Sequence, residues 1–169
     1  MDFASEHFQY EGARIRPLPV QSPLPLWFGG SSPAAIRRTA RFGTGWQAGL
    51  ESPAEVAPVV AAIKAAAVEA GRPMDPEHFS ASFYYRFGAL DDPTVEARRA
   101  TFRKLYPNRD IGKAVVAGGA AEILQRVEEY FAAGITKFVL RPMGETDAEI
   151  YDQTRRLVEE VFPVAHRKR

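Results

Sequence analysis

The sequence has no cysteine. Disulfides and thiolate metal sites are therefore excluded, and with them a cysteine-stapled secreted scaffold. It has almost no net charge: 22 Lys and Arg against 21 Asp and Glu leave +1, too weak a field to recruit nucleic acid or an anionic membrane. No apolar run approaches the ~20 residues that span a bilayer. The opening MDFASEHFQYEG is acidic and lacks the apolar segment of a signal peptide, so a cytoplasmic location is the expectation. His7, His78 and His166 stand alone, without His-x-Glu or His-x-x-x-His spacing, so no metal is expected. There is no Ser-His-Asp order and no nucleophile elbow either.

What is present is an ordinary globular composition, 46% hydrophobic and 25% charged over 169 residues, enough for one domain with a real core. RPLPVQSPLP packs four prolines into ten residues and should run extended. After it the chain alternates between short apolar runs and helical stretches. Strands are expected at 25–29, 45–49, 80–87 and 136–141. SPAAIRRTARF reads as a helix capped by Ser32 with Pro33 in its first turn, Ile36 and Ala40 on one face. Its Arg37, Arg38 and Arg41 have no interleaved aromatics and read as a solvated face.

SPAEVAPVVAAIKAAAVEAG opens with a Ser52–Glu55 capping box and closes at Gly71. Pro58 inside it predicts a kink or a later helix start. HFSASFYYRFG alternates with Phe83, Tyr85 and Phe87 on one face and Ser82, Tyr84 and Arg86 on the other. A helix from Asp92-Pro93 should bury Val95, Phe102 and Leu105 or Tyr106. NRDIGKAVVAGG reads as a loop. AAEILQRVEEYFAAG is helical with Ile123, Val127, Tyr130 and Phe131 inward, and Thr146–Glu149 opens a last helix with Ile150, Thr154, Leu157 and Val161 inward. Strand-then-helix repetition implies parallel strands joined by right-handed crossovers, an α/β fold.

The chemistry concentrates in PLWFGGSSPAAIRR. Glycines at the end of a strand allow positive φ and close approach of the backbone to a ligand. The helix start that follows offers unpaired N–H groups and a positive dipole end, which suit an anion. Pro33 has no N–H, leaving Ser32, Ala34 and Ala35 as the helix-end donors. Gly29-Gly30-Ser31-Ser32 is thus either a phosphate seat or a glycine-permitted corner with Ser32 serving as the cap.

Three linked stretches carry a family resemblance: PLPVQSPLPLWFGGSSPAAIRRTARFGTGW, SPAEVAPVVAAIKAAAVEAGRP and GGAAEILQRVEEYFAAGITKFVLRP. Together, from Tyr10 to Val161, the chain resembles the C-terminal half of bacterial luciferase-like monooxygenases, enzymes that use FMN or the deazaflavin coenzyme F420. The resemblance implies four parallel strand-helix units corresponding to the C-terminal half of a TIM (β/α)8 barrel, a fold that places ligands at the C-terminal ends of its strands. It divides the sequence into an extended lead (1–24), a partial barrel (25–163) and a basic tail (164–169).

It further implies a flavin- or F420-dependent oxidoreductase or monooxygenase in which Gly29, Gly30, Ser31 and Ser32 hold the cofactor's phosphate. Arg141, at the productive end of the last strand, would meet an anionic substrate or phosphate; a surface ion pair is its other reading. Trp46 maps to a strand start and reads as core. GTGW departs from the family's usual Gly-Asp-Gly-Trp at Thr44, which removes that acidic group. The family's first half, which supplies most of the cofactor-ring pocket, has no counterpart here by motif. The alternative reading is accordingly a non-catalytic half-barrel that forms a homodimer or complements an N-terminal-half partner, its open strand edges covered by association.

Overall fold

The structure is a computed structural model that describes residues 1–108 and 111–165. Its organising element is the strand read from HFSASFYYRFG, which spans Phe79–Phe87. In chain order the strands are β1 (Phe3–Ala4), β2 (Gln9–Tyr10), β3 (Trp27–Gly29), β4 (Gly45–Gln47), β5 (Phe79–Phe87), β6 (Val115–Gly118) and β7 (Lys137–Pro142). The helices are α1 (Pro33–Phe42), α2 (Pro53–Glu69), α3 (Pro93–Leu105), α4 (Ala120–Ala132), α5 (Asp147–Arg156) and α6 (Phe162–Ala165), with a π turn at Leu157–Val161 between the last two.

β3, β4, β5 and β7 form one parallel sheet in that order, and these are the four strands expected from sequence. β6 also pairs in parallel with β5, at Tyr84–Phe87. Tyr84 and Tyr85 pair with β7 as well, so β6 lies on the opposite edge of β5, the edge whose N-terminal end carries β4. The stretch expected to be a loop therefore supplies a strand. It is four residues long and preceded by a single 3-10 turn, Gly112–Ala114, too short for periodicity to register. Near the N-terminus β1 and β2 form a small antiparallel ladder, within an otherwise exposed lead.

Parallel register places paired residues on one face, and the two faces differ sharply. Phe79, Ala81, Phe83, Tyr85 and Phe87 are buried against Val56, Val60 and Ile63 of α2, Ile123 and Tyr130 of α4, and Leu157 and Val161 of the π turn. The other face carries Ser80, Ser82, Tyr84 and Arg86, with Gly29 and Gln47 on one side and Val139 and Arg141 on the other. Parallel sheets ordinarily have helices over both faces. Here Ser80 and Ser82 are buried and Tyr84 and Arg86 half-buried, and part of the polar face lines a cleft overhung by α3.

Local chemistry sets the ends of the helices. Ser32 Oγ accepts from the Ala35 amide at 3.2 Å, and Glu55 accepts from both the amide and hydroxyl of Ser52 at 2.7 and 2.8 Å. α2 starts at Pro53 and includes Pro58, so of the kink or later start expected from that proline, the later start does not occur. One missing backbone bond is outweighed by the Ser52–Glu55 box and the burial of Val56, Val59 and Val60 around it.

Three inward assignments shift. Leu105, its alternative Tyr106 and also Phe131 are exposed, and Gln153 replaces Thr154 as the buried position of α5. Gln153 closes the end of β5: its Oε1 accepts from the Phe87 amide at 2.6 Å, and its Nε2 donates to the Phe87 carbonyl at 3.3 Å. The tail from 166 onward, including His166, lies outside the described residues.

Gln153→Leu keeps the volume but strands both polar groups of Phe87 in the core. Equilibrium urea unfolding should show a loss of about 1–3 kcal/mol; unchanged stability would contradict the clamp.

Candidate functional site

The C-terminal ends of the strands open into a cleft of about 690 Å³ on the polar face of the sheet. Trp27 to Gly30 form one wall, Gln47 to Glu51 the next, Ser82 and Tyr84 the floor, and Val139 and Arg141 the far side, while α3 overhangs with Arg98, Thr101 and Phe102. A larger apolar groove of about 1010 Å³ runs between α4, β7 and α6, lined by side chains such as Leu124, Phe131, Phe138 and Phe162. It offers an anion little besides Lys137, whose ammonium donates to the Glu77 carbonyl at 2.6 Å. The chemistry-bearing residues gather in the smaller cleft.

The glycine corner is built from the core outward. Trp46 is fully buried, and its indole N–H donates to the Gly30 carbonyl at 3.0 Å. Gly30 turns the chain at φ +91°, a conformation that L side chains rarely adopt. Its carbonyl is thereby directed into the protein. Among the described residues no acceptor faces the amides of Gly30, Ser31 or Ser32, and all three residues are exposed. Ser32's hydroxyl is occupied as the α1 cap, whereas Ser31's has no partner among the described residues.

The start of β3 is held by Thr44, the residue that departs from the family pattern. Its Oγ1 accepts from the Leu26 amide at 2.8 Å and donates to the Leu26 carbonyl at 3.1 Å. The Trp27 ring lies over Gly45, where any Cβ would collide with it.

Across the cleft, Arg141 donates to the Tyr84 hydroxyl at 3.0 Å. It makes no ion pair among the described residues, so the surface ion-pair reading of this side chain is set aside. Arg86, by contrast, is a structural clamp: it pairs with Asp92 at 2.7 Å and donates to the Met143 carbonyl at 3.0 Å, with Glu149 at 3.7 Å. Asp92 is also the N-cap of α3, accepting from the Thr94 amide at 2.8 Å, so this pair fixes the roof to the floor. The hydrogen bond from Arg86 holds the Asp92 carboxyl below its ordinary value, with the Thr94 amide adding to the effect. Glu51 is turned onto the Gly49 amide at 2.7 Å, and its carbonyl accepts from Tyr130 at 2.7 Å. Burial pushes the Tyr130 phenol up to about 12, so it remains a donor.

Gly29, Gly30 and Arg141 thus line one cleft, with Ser31 and Ser32 on the chain just beyond its wall. Sequence reading passed over Arg98 altogether. No local pattern marks it, because only the packing of α3 across the strand ends brings it to the site.

A parallel strand-helix array with its cleft at the C-terminal strand ends defines the chain as part of an α/β barrel. The sequence model described as "Luciferase-like monooxygenase" matches residues 1–106, and the chain belongs to that family.

Solved structures agree on the fold. An F420-dependent secondary alcohol dehydrogenase in complex with an F420–acetone adduct superposes with a TM-score of 0.75 at 19% identity, covering 98% of this chain and 56% of the other. Coenzyme F420-dependent tetrahydromethanopterin reductase from Methanopyrus kandleri gives 0.65 at 16%, covering 96% and 57%. EDTA monooxygenase from Chelativorans sp. BNC1 gives 0.64 at 18%, covering 99% and 50%. The chain therefore spans roughly half the length of these enzymes, and its parallel strand-helix units share their barrel fold over that half.

Two substitutions test this construction. Trp46→Phe removes the donor to Gly30 and leaves a small void. It should cost about 2–4 kcal/mol and shift the amide resonances of Gly30 to Ser32, whereas an unmoved corner would contradict the tie. Asp92→Asn retains a capping side chain but removes the charge. A carboxyl with a depressed native pKa stabilises fully above its ordinary 3.8, and that contribution fades as pH falls through the lower native value. The variant should therefore be less stable than wild type at neutral pH by about 1–3 kcal/mol and converge with it in acid. A pH-independent difference in thermal unfolding would contradict the assignment.

Proposed function

We propose that the chain is the cofactor-tail-binding portion of a luciferase-like oxidoreductase or monooxygenase that works with FMN or coenzyme F420. The single observation that carries this reading is the corner at Gly30 to Ser32: three consecutive exposed amides facing no acceptor among the described residues, at the strand end where barrels of this kind bind ligands. A phosphate oxygen needs donors in just such a concave backbone arrangement, and α1 adds its positive dipole end. The residues fit the group.

When bound, FMN or F420 supplies the redox chemistry. This chain's residues grip and orient it. Gly29 and Gly30 keep the wall thin enough for a phosphate to reach the amides, and Ser31 adds a free hydroxyl. Trp27, Phe102 and Val139 give the cleft apolar surface that displaces water, while Arg141 orients a negatively charged substrate. Both cofactors stay in the reading because the similar structures include F420-dependent enzymes and a riboflavin lyase with modified FMN.

A second reading rests on a separate observation. Among the described residues β3 pairs only with β4 and β7 only with β5, which leaves two sheet edges open. Trp27 is 40% and Val139 45% exposed on the same face. A homodimer, or a complex with an N-terminal-half partner, would cover both edges and complete the cleft, without catalysis by this chain alone. Sedimentation of the purified chain as a stable monomer would remove the homodimer.

Fluorescence polarisation of FMN and of F420, titrated with the 169-residue chain, tests the first reading. One of the two should bind saturably. Gly30→Ala, which forces a Cβ onto φ +91° and within 3.2 Å of the Ala35 Cβ, should weaken it tenfold or more. No polarisation change with either cofactor at high micromolar protein would overturn it.

A further inference from the structure

The cleft holds a second cationic feature, away from the glycine corner. Tyr84 and Arg141 are register partners on adjacent strands, so both side chains leave the same face of the sheet. Arg141's guanidinium carbon stands 5.4 Å from the Tyr84 ring centroid, in addition to its bond to the hydroxyl. Arg98 reaches the same ring from α3, its guanidinium carbon 4.6 Å from the centroid. Phe102 braces Tyr84 edge-on, with ring centroids 5.4 Å apart. Two arginines share one aromatic platform.

Neither has a carboxylate within 4.0 Å among the described residues, although Arg86, Arg99, Arg126, Arg155 and Arg156 each have one. Glu51, the acidic side chain lining the cleft, is engaged by the Gly49 amide. Like charges gathered on one half-buried ring repel, and attraction to the ring face is a weak offset at a partly open site. Guanidinium groups match the paired oxygens of carboxylates and phosphates, and an oxyanion bound at either one offsets the gathered charge. The Tyr84 oxygen accepts from Arg141, so its own hydrogen remains available to the same anion.

We propose that Arg98, Tyr84 and Arg141 form an oxyanion seat that selects a carboxylate- or phosphate-bearing substrate. This deepens the cofactor reading and rests on it for the identity of the reaction, not for the existence of the seat. Arg98 and Tyr84 join Arg141 as specificity determinants, and α3 contributes directly to substrate choice.

Nitrogen-15 NMR of the full chain, titrated with inorganic phosphate and then with acetate, locates the seat. Saturable shifts should appear at Tyr84, Arg98 and Arg141. Arg98→Gln and Arg141→Gln should each weaken the affinity for phosphate tenfold or more, with thermal midpoints unchanged because neither side chain is buried. Arg98→Lys, which keeps the charge but loses the fork, should fall between.

Shifts confined to Gly30–Ser32, or phosphate affinity indifferent to both Gln variants, would overturn the seat. The same variants titrated with FMN and F420 separate two sources of the anion. Unaltered cofactor affinity supports a substrate group, and a parallel tenfold loss would assign the seat to the cofactor's own anionic tail and overturn the substrate claim. If wild type binds neither cofactor yet retains the phosphate shifts, the cofactor reading fails and the seat stands.

Discussion

The hydrogen bond from the Trp46 indole to the Gly30 carbonyl joins the two parts of this molecule that matter most. One end lies in the core, where Trp46 is fully buried beside Phe79, Val56 and Ile63. The other is the corner at which β3 gives way to α1. Directing the Gly30 carbonyl inward leaves the following amides outward, and the positive φ at Gly30, open to glycine but not to a residue with a Cβ, makes that arrangement possible. The packing of the helix layer thus sets the orientation of the donors. Changes deep in the core would be felt at the cleft without any residue of the cleft being altered.

A second constraint is the division of β5 into two faces. Aromatic and small apolar residues at alternate positions commit one face to the helices, and Ser80, Ser82, Tyr84 and Arg86 are thereby committed to the other. A one-residue slip would exchange them, so the register that builds the core also presents Tyr84 to the cleft. Charge is handled unevenly on that face. Arg86 is neutralised by Asp92 and secures α3, whereas among the described residues Arg141 and Arg98 meet aromatic rings and the Tyr84 hydroxyl but no carboxylate. One arginine holds the architecture together, and the other two are left with binding capacity.

Much of this was legible in the sequence. The alternation of FSASFYYRF, the capping serines and the strand-helix rhythm located four strands and implied that they run parallel, because each rests on short-range periodicity. The luciferase-like family and the placement of Gly29, Gly30 and Arg141 at strand ends followed from linked motifs. What escaped detection is long-range. β6 is a strand only because β5 offers it an edge, Gln153 is buried because it caps that strand, and Arg98 belongs to the cleft only through the docking of α3. At Pro58 the local penalty allowed a later helix start, which the burial around it prevents.

The claim on which the account turns is that the amides following Gly30 receive the phosphate of FMN or F420. A crystal structure of the chain, together with whatever completes its barrel, grown with the cofactor decides it. The account predicts phosphate oxygens within hydrogen-bonding distance of the Gly30, Ser31 or Ser32 amides, with Trp46 still bonded to the Gly30 carbonyl. A bound cofactor whose phosphate lies elsewhere, with those amides facing only solvent, would contradict it.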